Sequence, residues 1–403
     1  MPQILPFLGY RYNSAKIKKF DDVLSPPYDV ISAKEQEALY KKSPYNFVRV
    51  DLSKKVTGQD AYRATAATIQ SWISAEVLKQ DATPTLYVYA QDYKNLSGKP
   101  ASRIGFISLM KIDETKVKKH EHTLAGPKVD RTALMETLKA QMSPIFGMFR
   151  DPKGTVHAEL KKIVKGRPAI DVTVSGVRHR FFPIADERVI AAISKAVGPQ
   201  NMYIADGHHR FEVASEYYKR HAKDRVGGKG VVLTYLCDAF RNDFTIYPTH
   251  RILKGLEGDW KGTVTKVTAK HFKSEKVGSL SALVAAIEKK PKGGLTIGMI
   301  CCGEYRKLTL KAKTRDLDVT VLQKLLISKL LGEEVAKSDK IRFSRDPKEA
   351  DTAVRKEGAD LAFILPYMPV SEMMRVSDLG IKLPQKSTYF YPKLLSGLVV
   401  YKF

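Results

Sequence analysis

The chain has 403 residues, of which 43% are hydrophobic and 28% are charged, and its formal net charge is +25. This is the composition of a soluble globular protein that is long enough for two or three domains. No run of about eighteen apolar residues is present, which excludes a transmembrane helix, and the N-terminus lacks the regions of a signal peptide. The three cysteines form no CxxC pair, so we expect a reduced, cytoplasmic protein.

The positive charge leaves two interpretations open. A basic chain attracts anionic metabolites, and it also attracts nucleic acid. The lysines are spread along the whole sequence and form no long block, so the charge alone does not select between them. We expect a small anionic metabolite as the partner, nucleic acid as the open alternative and no membrane association, while the oligomeric state stays undetermined.

The first part of the chain mixes turns, helices and strands. Residues 24–30 form a loop stiffened by two prolines, and Tyr28 and Asp29 on it are candidates for the wall of a substrate pocket. Ser32 and Glu35 are typical of a capping box at the start of a helix. The elements predicted here are helices over 33–41 and 60–78 and paired strands over 86–93 and 103–112.

Later segments continue this mixture and suggest three parts. The predicted helices cover 131–142, 186–197, 280–287 and 319–331. The predicted strands cover 143–149, 178–183, 231–240, 245–251, 295–300 and 308–311, and the glycines at 227–230 predict a flexible break. We expect a main α+β domain over 1–255, a C-terminal α/β lobe over 256–380, and a segment over 381–403 that returns to the main domain.

Residues 203–210 read YIADGHHR and are the most informative stretch. A short apolar run ends in Asp206 and Gly207, and a helical pattern follows, which predicts a strand, a tight glycine turn and a helix. This geometry directs backbone N–H groups and the positive end of the helix dipole at an anion. The turn also carries His208, His209 and Arg210, and this concentration of polar side chains favours a functional site over an exposed loop.

Residues 119–128, KHEHTLAGPK, form a second polar stretch. In an extended segment residues two apart share a face, so His120 and His122 could bind a metal, although the spacing supplies no third ligand. Glu121 is otherwise a candidate general base or Mg²⁺ ligand, and His120 a candidate acid/base or phosphate contact. A surface loop is the structural alternative.

Further cations and hydroxyls are candidates for phosphate binding. Lys128 and Arg131 follow the second polar stretch, and Lys386, Ser387 and Thr388 combine a point charge with short donors, which suits phosphate or carboxylate. At the end of a predicted strand, His250 and Arg251 are candidates for substrate contact, and a structural role for His250 is equally compatible with its position.

Five motifs in one order carry a family resemblance. They read LSPPYDV, KKHEHTLAGPKVDR, YIADGHHR, PTHR and PQKSTYFYPKL, and they span the chain from Phe7 to the C-terminus. Together they resemble a widespread bacterial and archaeal family, the domain-of-unknown-function 1015 family. This family is poorly described, so the match is specific for the family and much less specific for chemistry.

The DGHHR turn also resembles, more distantly, the phosphate-binding turn of the ParB/sulfiredoxin-like superfamily, which includes ATP-using enzymes and free-serine kinases. The resemblance implies an α+β fold with mixed sheets and a strand-turn-helix phosphate site. It implies that Gly207 is the turn glycine, that Arg210 binds phosphate, and that His208 and His209 flank the transferred phosphoryl group. It also implies serine or phosphoserine as the substrate.

The leading hypothesis is a phosphoryl-transfer enzyme of the serine kinase or phosphoserine phosphatase type, with ATP or another nucleotide as the candidate donor. Arg210 and Lys386 would hold phosphate, and Glu121 or Asp206 would act as base or Mg²⁺ ligand. The candidates for acid/base or nucleophilic roles are His120, His208 and His209. All these residues are expected to converge on one cationic site.

Two alternatives stay open. One is a nucleotide-binding switch or nucleic-acid-binding protein without catalysis, which would use the same turn and the basic surface. The other is a metal-dependent hydrolase built on His120, His122 and either His208 or His209.

Overall fold

The computed structural model describes residues 3–54, 60–121, 125–198, 200–222, 230–289, 294–332 and 339–403. Helices and mixed sheets both contribute to the fold, which confirms the predicted α+β class. Within these ranges no helix combines the length and the apolar character that a bilayer crossing needs.

The strands and helices are numbered in chain order. The strands are β1 (Ile4–Leu5), β2 (Tyr10–Tyr12), β3 (Leu78–Gln80), β4 (Leu86–Lys94), β5 (Pro100–Lys111), β6 (Val117–Lys118), β7 (Ala140–Gln141), β8 (Ile145–Phe149), β9 (Ile170–Val174), β10 (Val177–Ile184), β11 (Met202–Asp206), β12 (Val231–Asp238), β13 (Thr245–Tyr247), β14 (His250–Leu253), β15 (Phe272–Val277), β16 (Thr296–Cys301), β17 (Glu304–Leu310), β18 (Ile341–Ser344), β19 (Leu361–Ile364), β20 (Tyr389–Tyr391) and β21 (Tyr401–Lys402). The helices are α1 (Ala33–Lys42), α2 (Val48–Asp51), α3 (Ala61–Ser74), α4 (Ala125–Leu138), α5 (Thr155–Ile163), α6 (Glu187–Val197), α7 (His208–Arg220), α8 (Trp260–His271), α9 (Leu280–Glu288), α10 (Asp318–Leu322), α11 (Ser328–Leu331), α12 (Pro347–Lys356) and α13 (Val370–Asp378).

The chain divides into two compact units. The first comprises residues 1–119, 123–245 and 390–403, and the second comprises 120–122 and 246–389. The division near residue 245 falls before the expected one at 255, because β14 pairs with β18 and β19 inside the second unit. The C-terminal segment rejoins the first unit at Phe390 and not at residue 381.

The first unit is built on a nine-stranded mixed sheet in the order β6-β11-β8-β12-β5-β4-β10-β9, with β1 paired to β5. The long central strands β4 and β5 are antiparallel and nearly all buried, as their apolar runs predict. On one side β12 runs parallel to β8, and β11 runs antiparallel to β8. The turn after Asp206 therefore starts at one end of β11, inside the sheet and next to its edge strand β6.

Local sequence signals explain several helix starts. Ser32 and Glu35 form the predicted capping box at the start of α1. Asp60 and Asp186 accept backbone N–H bonds as the N-caps of α3 and α6. The helix predicted over 60–78 ends at Ser74, and Leu78 instead begins the short strand β3.

Some predicted elements differ from the structure. The helix predicted over 131–142 runs from Ala125 to Leu138, and it ends where Lys139 takes a left-handed φ of 49°. The strand predicted over 245–251 is two strands, because Pro248 lacks the N–H that a continuous ladder needs. The helix predicted over 319–331 contains a π-helical turn at Gln323–Ile327. The predicted break at 227–230 lies, apart from Gly230, outside the described residues.

The second unit is built on a six-stranded sheet in the order β15-β17-β16-β19-β14-β18, with every pair antiparallel. One face of this sheet carries a buried apolar cluster that includes Ile252, Ile300 and Ile364, to which α9 and α12 contribute Leu283 and Ala353. This face explains the apolar periodicity of the two helices.

Candidate active site

The turn between β11 and α7 has the predicted geometry. Gly207 has a left-handed φ of 91° and begins α7, a helix of 13 residues. A Cβ at this position would meet the Arg210 guanidinium and Ile145 at 3.1 Å, so both the backbone conformation and the close approach of Arg210 require glycine. The helix buries Phe211, Ala214 and Tyr217 in the first unit, which fixes the direction of its N-terminus.

Asp206, the last residue of β11, lies between two cations. Its Oδ2 accepts a hydrogen bond of 2.7 Å from Nη2 of Arg210, and its Oδ1 accepts one from Nζ of Lys393. Nη1 of Arg210 donates to the carbonyl of Pro144 and, at 3.2 Å, to Oγ of Ser143. The three charged side chains are 13–19% exposed, so this ionic cluster is largely desolvated and still reachable from solvent.

The charge state of Asp206 follows from these contacts. Burial alone would raise the pKa of its carboxyl, but the positive charges of Lys393 and Arg210 outweigh burial and hold that pKa well below its usual range. Asp206 is therefore ionised at neutral pH. A carboxylate in this state is a strong anchor for two cations and a weak proton acceptor.

Asp29 has the opposite environment. It lies in the short 3₁₀ helix Tyr28–Val30, which follows the proline-stiffened loop, and it is exposed. Partial burial of its carboxyl and the negative charge of Asp206 raise its pKa, while Lys393 and Arg210 oppose this shift. Two carboxylates within electrostatic reach of one another thus have pKa values displaced in opposite directions, which is a common arrangement in acid/base sites.

Tyr28 and Arg131 form the neighbouring wall. The Arg131 guanidinium lies 4.0 Å from the centroid of the Tyr28 ring, and it donates to Oδ1 of Asp51 at 3.3 Å and, through Nε, to Oδ2 of Asp130 at 2.8 Å. Burial raises the pKa of Tyr28, against the charges of Arg210 and Arg131. The loop is therefore held to α4 by a cation–π contact.

The two histidines of the turn differ in exposure. His208 is buried, whereas His209 is half-buried. Burial lowers the pKa of His209; the charges of Lys128 and Arg210 act in the same direction, and Glu212 and Asp29 oppose them. His209 is therefore a neutral imidazole at pH 7, able to accept a proton.

Two pockets in the first unit share Ser143 and Arg210 in their lining. One is about 290 Å³ including its open mouth, and Asp206, Lys393 and Ser396 also line it. The other is about 430 Å³ including its mouth, with Asp51, Arg131 and Gln141 among its lining residues. Arg210 thus faces both spaces, and each contains a further cation.

Lys128, predicted to bind phosphate, has protein partners on α7. Its Nζ lies 3.3 Å from Oε2 of Glu212 and 3.9 Å from Oε1 of Glu216. Lys119 also approaches Glu212, at 3.6 Å. Lys128 therefore ties α4 to α7 in this structure.

His120, Glu121 and the 386–388 segment come together within the second unit. The backbone N–H of Lys386 donates to Oε1 of Glu121 at 2.6 Å, and Nε2 of His120 lies 3.0 Å from Oγ1 of Thr388. Lys386 has a left-handed φ of 52°, which a non-glycine residue adopts only when its surroundings support it. Ser387 donates to the carbonyl of Pro384.

His250 and Arg251 lie on β14 of the second unit and are both almost fully buried. Burial lowers the pKa of Arg251 to about 10, although Asp318 and Glu121 oppose the shift. Burial and the charge of Arg251 lower the pKa of His250 to about 4. The backbone N–H of Leu365 donates to Nδ1 of His250, which fits a neutral structural histidine.

The residues expected to form one site belong to both units. Glu121 and Lys386 are joined in the second unit, whereas Asp206, His209 and Arg210 belong to the first. In the part of the chain that the structure describes, no group of three or more His, Cys, Asp or Glu side chains could hold a metal ion. His122, a ligand in the metal hypothesis, lies outside the described residues.

Lys393 and Asp51 were not selected from the sequence. Lys393 ends the stretch that contains Lys386, so a signal was present, but nothing in the spacing relates it to Asp206. Asp51 ends the short helix α2, is 1% exposed and bonds Arg131 and Ser396. A buried aspartate at this position has no sequence signature.

These features define an α+β protein with cationic side chains at a strand-turn-helix motif, which is its candidate site. The sequence matches the family described as "Protein of unknown function (DUF1015)" over residues 4–325. The chain therefore belongs to this family, as its motifs predict. No curated protein matches it.

The fold was also compared with solved structures. A conserved hypothetical protein from Pyrococcus furiosus has 17% identity and a TM-score of 0.38, with 70% of this chain and 90% of that chain covered. A free serine kinase in complex with AMP has 15% identity and a TM-score of 0.39, with 69% and 85% covered. SbnI from Staphylococcus aureus, with a C-terminal truncation, has 12% identity and a TM-score of 0.35, with 71% and 85% covered. At such scores these likenesses carry no argument about the ligand of this chain.

Proposed function

We propose that this protein is a phosphoryl-transfer enzyme that acts on a small hydroxyl-bearing metabolite, with the phosphate held at the turn between β11 and α7. The observation that carries the proposal is the ionic cluster of Asp206, Arg210 and Lys393 beside Asp29. It combines two oriented cations, a helix N-terminus and a second carboxylate with a raised pKa. Phosphoryl transfer needs positioning and charge stabilisation more than any covalent chemistry from the protein.

Phosphate recognition would come from three sources in the first unit. The first turn of α7 directs backbone N–H groups at the ligand, and Arg210 and Lys393 supply positive charge. Asp206 fixes the direction of both cations, so little reorganisation is needed when charge develops on the transferred group. In the described residues, no hydrogen bond involves Nε of Arg210, which leaves this donor for a phosphate oxygen.

The proton transfer is best assigned to Asp29. Asp206 is a poor base, because two cations hold its pKa low, and the same positive field opposes a divalent ion there. In the kinase direction Asp29 takes the proton of the substrate hydroxyl while the hydroxyl oxygen bonds to the terminal phosphorus of a nucleotide. The bridging P–O bond breaks, and the nucleotide leaves with one phosphate fewer. In the phosphatase direction Asp29 takes a proton from water while the water oxygen bonds to phosphorus. The bond between phosphorus and the serine oxygen breaks, and that oxygen leaves as a hydroxyl with the proton that Asp29 returns. His209, neutral at pH 7, is the second proton carrier.

The family resemblance points to serine or phosphoserine as the substrate. Serine offers a hydroxyl for attack, and phosphoserine offers the dianion that the cluster would bind. A nucleotide would bring Mg²⁺ on its phosphates, so a requirement for Mg²⁺ is expected in the kinase direction. Each direction gives a distinct product, and the two can be separated directly.

The test incubates the full chain with serine, ATP or ADP, and Mg²⁺, and separately with phosphoserine alone. Phosphoserine formation is followed by mass spectrometry and phosphate release by colorimetry. We expect one reaction above background and a loss of at least about 100-fold in Arg210→Ala, because a preorganised charge is removed from the transition state. Arg178→Ala is the matched control, since Arg178 forms an exposed ion pair with Asp171.

Two outcomes would contradict the proposal. One is the absence of both reactions in wild-type protein that is folded. The other is full turnover in Arg210→Ala, which would separate the chemistry from this turn. Nucleotide-dependent phosphoserine formation would select the kinase, and nucleotide-independent phosphate release would select the phosphatase.

A further inference from the structure

Residues 390–403, here called the C-terminal strap, are bound along their length to the rest of the first unit. Ser396 pairs with Ser25 and Val400 with Tyr10 through backbone hydrogen bonds. Strand β21, near the end of the strap, pairs with β7. The strap also supplies Lys393, Leu394, Leu395 and Ser396 to the pocket that contains Asp206. One wall of the candidate site is therefore made by a segment far from the turn in sequence.

Arg103 on β5 is the most unusual residue beneath the strap. Its side chain is fully buried, and its guanidinium lies 4.5 Å from the centroid of the Phe146 ring. Nη2 donates to Oε1 of Gln91 and to the backbone carbonyl of Pro392. Among the described residues, no carboxylate forms an ion pair with it. Burial of a charge without a counter-ion is costly, and the hydrogen bonds that Nη2 donates to Gln91 and to the strap offset part of this cost.

Two side chains of β4 extend this set of contacts. Nε2 of Gln91 donates to the carbonyl of Lys393 at 2.9 Å. The backbone N–H of Leu395 donates to the hydroxyl of Tyr89 at 3.3 Å, and that hydroxyl lies 2.6 Å from Nδ1 of His179. Burial lowers the pKa of His179 to about 3, so the imidazole that contacts the tyrosine hydroxyl is neutral at pH 7. Consecutive backbone groups of the strap are thus fixed by side chains of the central sheet.

We propose that Arg103 and Gln91 are positioning residues that set the backbone of the strap so that Lys393 reaches Asp206. The inference rests on the proposed function, in which Lys393 binds phosphate. The two residues bind the carbonyls of Pro392 and Lys393 and touch neither Asp206 nor Arg210 through any contact that the structure describes. Their effect on the site therefore passes through the strap, and an error of about 1 Å in such a site has a large kinetic cost.

The strap also contacts Asp51, which binds Arg131 in the lining of the other pocket. Oγ of Ser396 donates to Oδ2 of Asp51 at 2.7 Å, and Oδ1 of Asp51 accepts from Arg131. Gly397 has a φ of 95°, and a Cβ there would lie 2.9 Å from the Phe47 ring, so glycine lets the strap pass close to the core after Ser396. Displacement of the strap would therefore disturb both Lys393 and the partner of Arg131.

The experiment measures the position of Lys393 independently of catalysis. Folded Gln91→Leu and Arg103→Met are treated with an amine-acylating reagent, and the labelling rate of Lys393 is followed by mass spectrometry, together with hydrogen exchange of peptides from 390–403. We expect labelling of Lys393 to rise at least about tenfold and the strap amides to exchange faster. Thr234→Val is the matched control, because Thr234 is a buried polar residue of the same sheet and its hydroxyl bonds only the Val232 carbonyl among the described partners.

The outcomes separate this inference from the proposed function. Unchanged labelling and exchange in the folded variants overturn the positioning role. Faster labelling in a protein whose wild type transfers no phosphoryl group supports positioning and rejects the proposed function. If turnover is present, Arg103→Met is expected to raise KM for the phosphate-bearing substrate and to match Lys393→Met within about threefold in kcat/KM, with partial recovery in Arg103→Lys. Should Arg103→Met fail to fold, Gln91→Leu decides the question, because it keeps the buried guanidinium.

Discussion

The protein carries two polar clusters, one in each unit, and they use their charges differently. In the first unit, Asp206, Arg210 and Lys393 bond side chain to side chain and border a pocket. In the second unit, Glu121 accepts a backbone N–H and His120 contacts Thr388. A charge that faces a pocket is available to a ligand, whereas a carboxylate that accepts a backbone N–H stabilises a loop. We therefore propose ligand binding for the first cluster and a structural role for the second.

The largest effect is expected from Asp29→Asn. The variant removes the proton acceptor, so kcat should fall by about 10²–10⁴-fold. Because the pKa of Asp29 is raised, wild-type activity should fall with decreasing pH at a higher pH than the ordinary aspartate value of about 3.9. The check is the pH dependence of the pre-steady-state and steady-state rates of wild type and variant. If the fall in rate at acidic pH is the same in Asp29→Asn, Asp29 is not the proton acceptor.

Asp206→Asn should lower stability by about 2–4 kcal/mol at pH 7, because Arg210 and Lys393 lose their common counter-ion. The folded-state pKa of Asp206 lies below its unfolded value. Its stabilisation is therefore present above pH of about 4 and is lost as the pH falls through the folded-state pKa. Urea unfolding should be measured for wild type and variant between pH 7 and pH 3. The difference between their free energies of unfolding should decrease as the pH falls.

Asp171→Asn is the control for that measurement, because Asp171 pairs with Arg178 at an exposed position. Its effect should stay within about 1 kcal/mol. Equal losses of unfolding free energy in Asp206→Asn and Asp171→Asn would mean that the Asp206 cluster is no more desolvated than an ordinary surface ion pair. The contrast between the two polar clusters would then be wrong.

The smallest effect is expected in the second cluster. Thr388→Val removes the hydroxyl that lies 3.0 Å from Nε2 of His120 and should lower the free energy of unfolding by about 1 kcal/mol. Differential scanning calorimetry and isothermal titration with phosphoserine and nucleotide would be run on the same protein. A loss of ligand affinity without a loss of stability would assign Thr388 to the ligand and break the comparison.

Local chemistry made part of this structure predictable. The capping box of Ser32 and Glu35 and the glycine turn at Gly207 depend on residues a few positions apart, and both have the predicted form. The end of α4 was not predictable, because no proline or glycine marks Lys139. Hydrophobic periodicity indicates where the helices and strands lie, whereas tertiary contacts determine the residues at which they end.

The composition of the candidate site was only half predictable. Asp206 and Arg210 are four residues apart, so both lie in one short sequence motif. Lys393 is 187 residues from Asp206, and the opposite pKa shifts of Asp29 and Asp206 depend on where two distant segments meet. Sequence spacing carries no information of this kind, so the sequence suggests Glu121 or Asp206 as the base and places Asp29 only in the wall of a pocket.

The discontinuity of the first unit has a consequence for biosynthesis. Residues 246–389 are translated between the second and third segments of that unit, so the Asp206 carboxylate emerges from the ribosome long before Lys393 does. During that interval the nascent chain contains Asp206 and Arg210 but not Lys393. Bringing Lys393 to Asp206 then closes a very long loop, which has a cost in chain entropy. The pair of Asp206 and Lys393 therefore cannot form before residues 390–403 are synthesised, and a ribosome stalled after residue 389 would display a turn that has Arg210 but lacks its second cation.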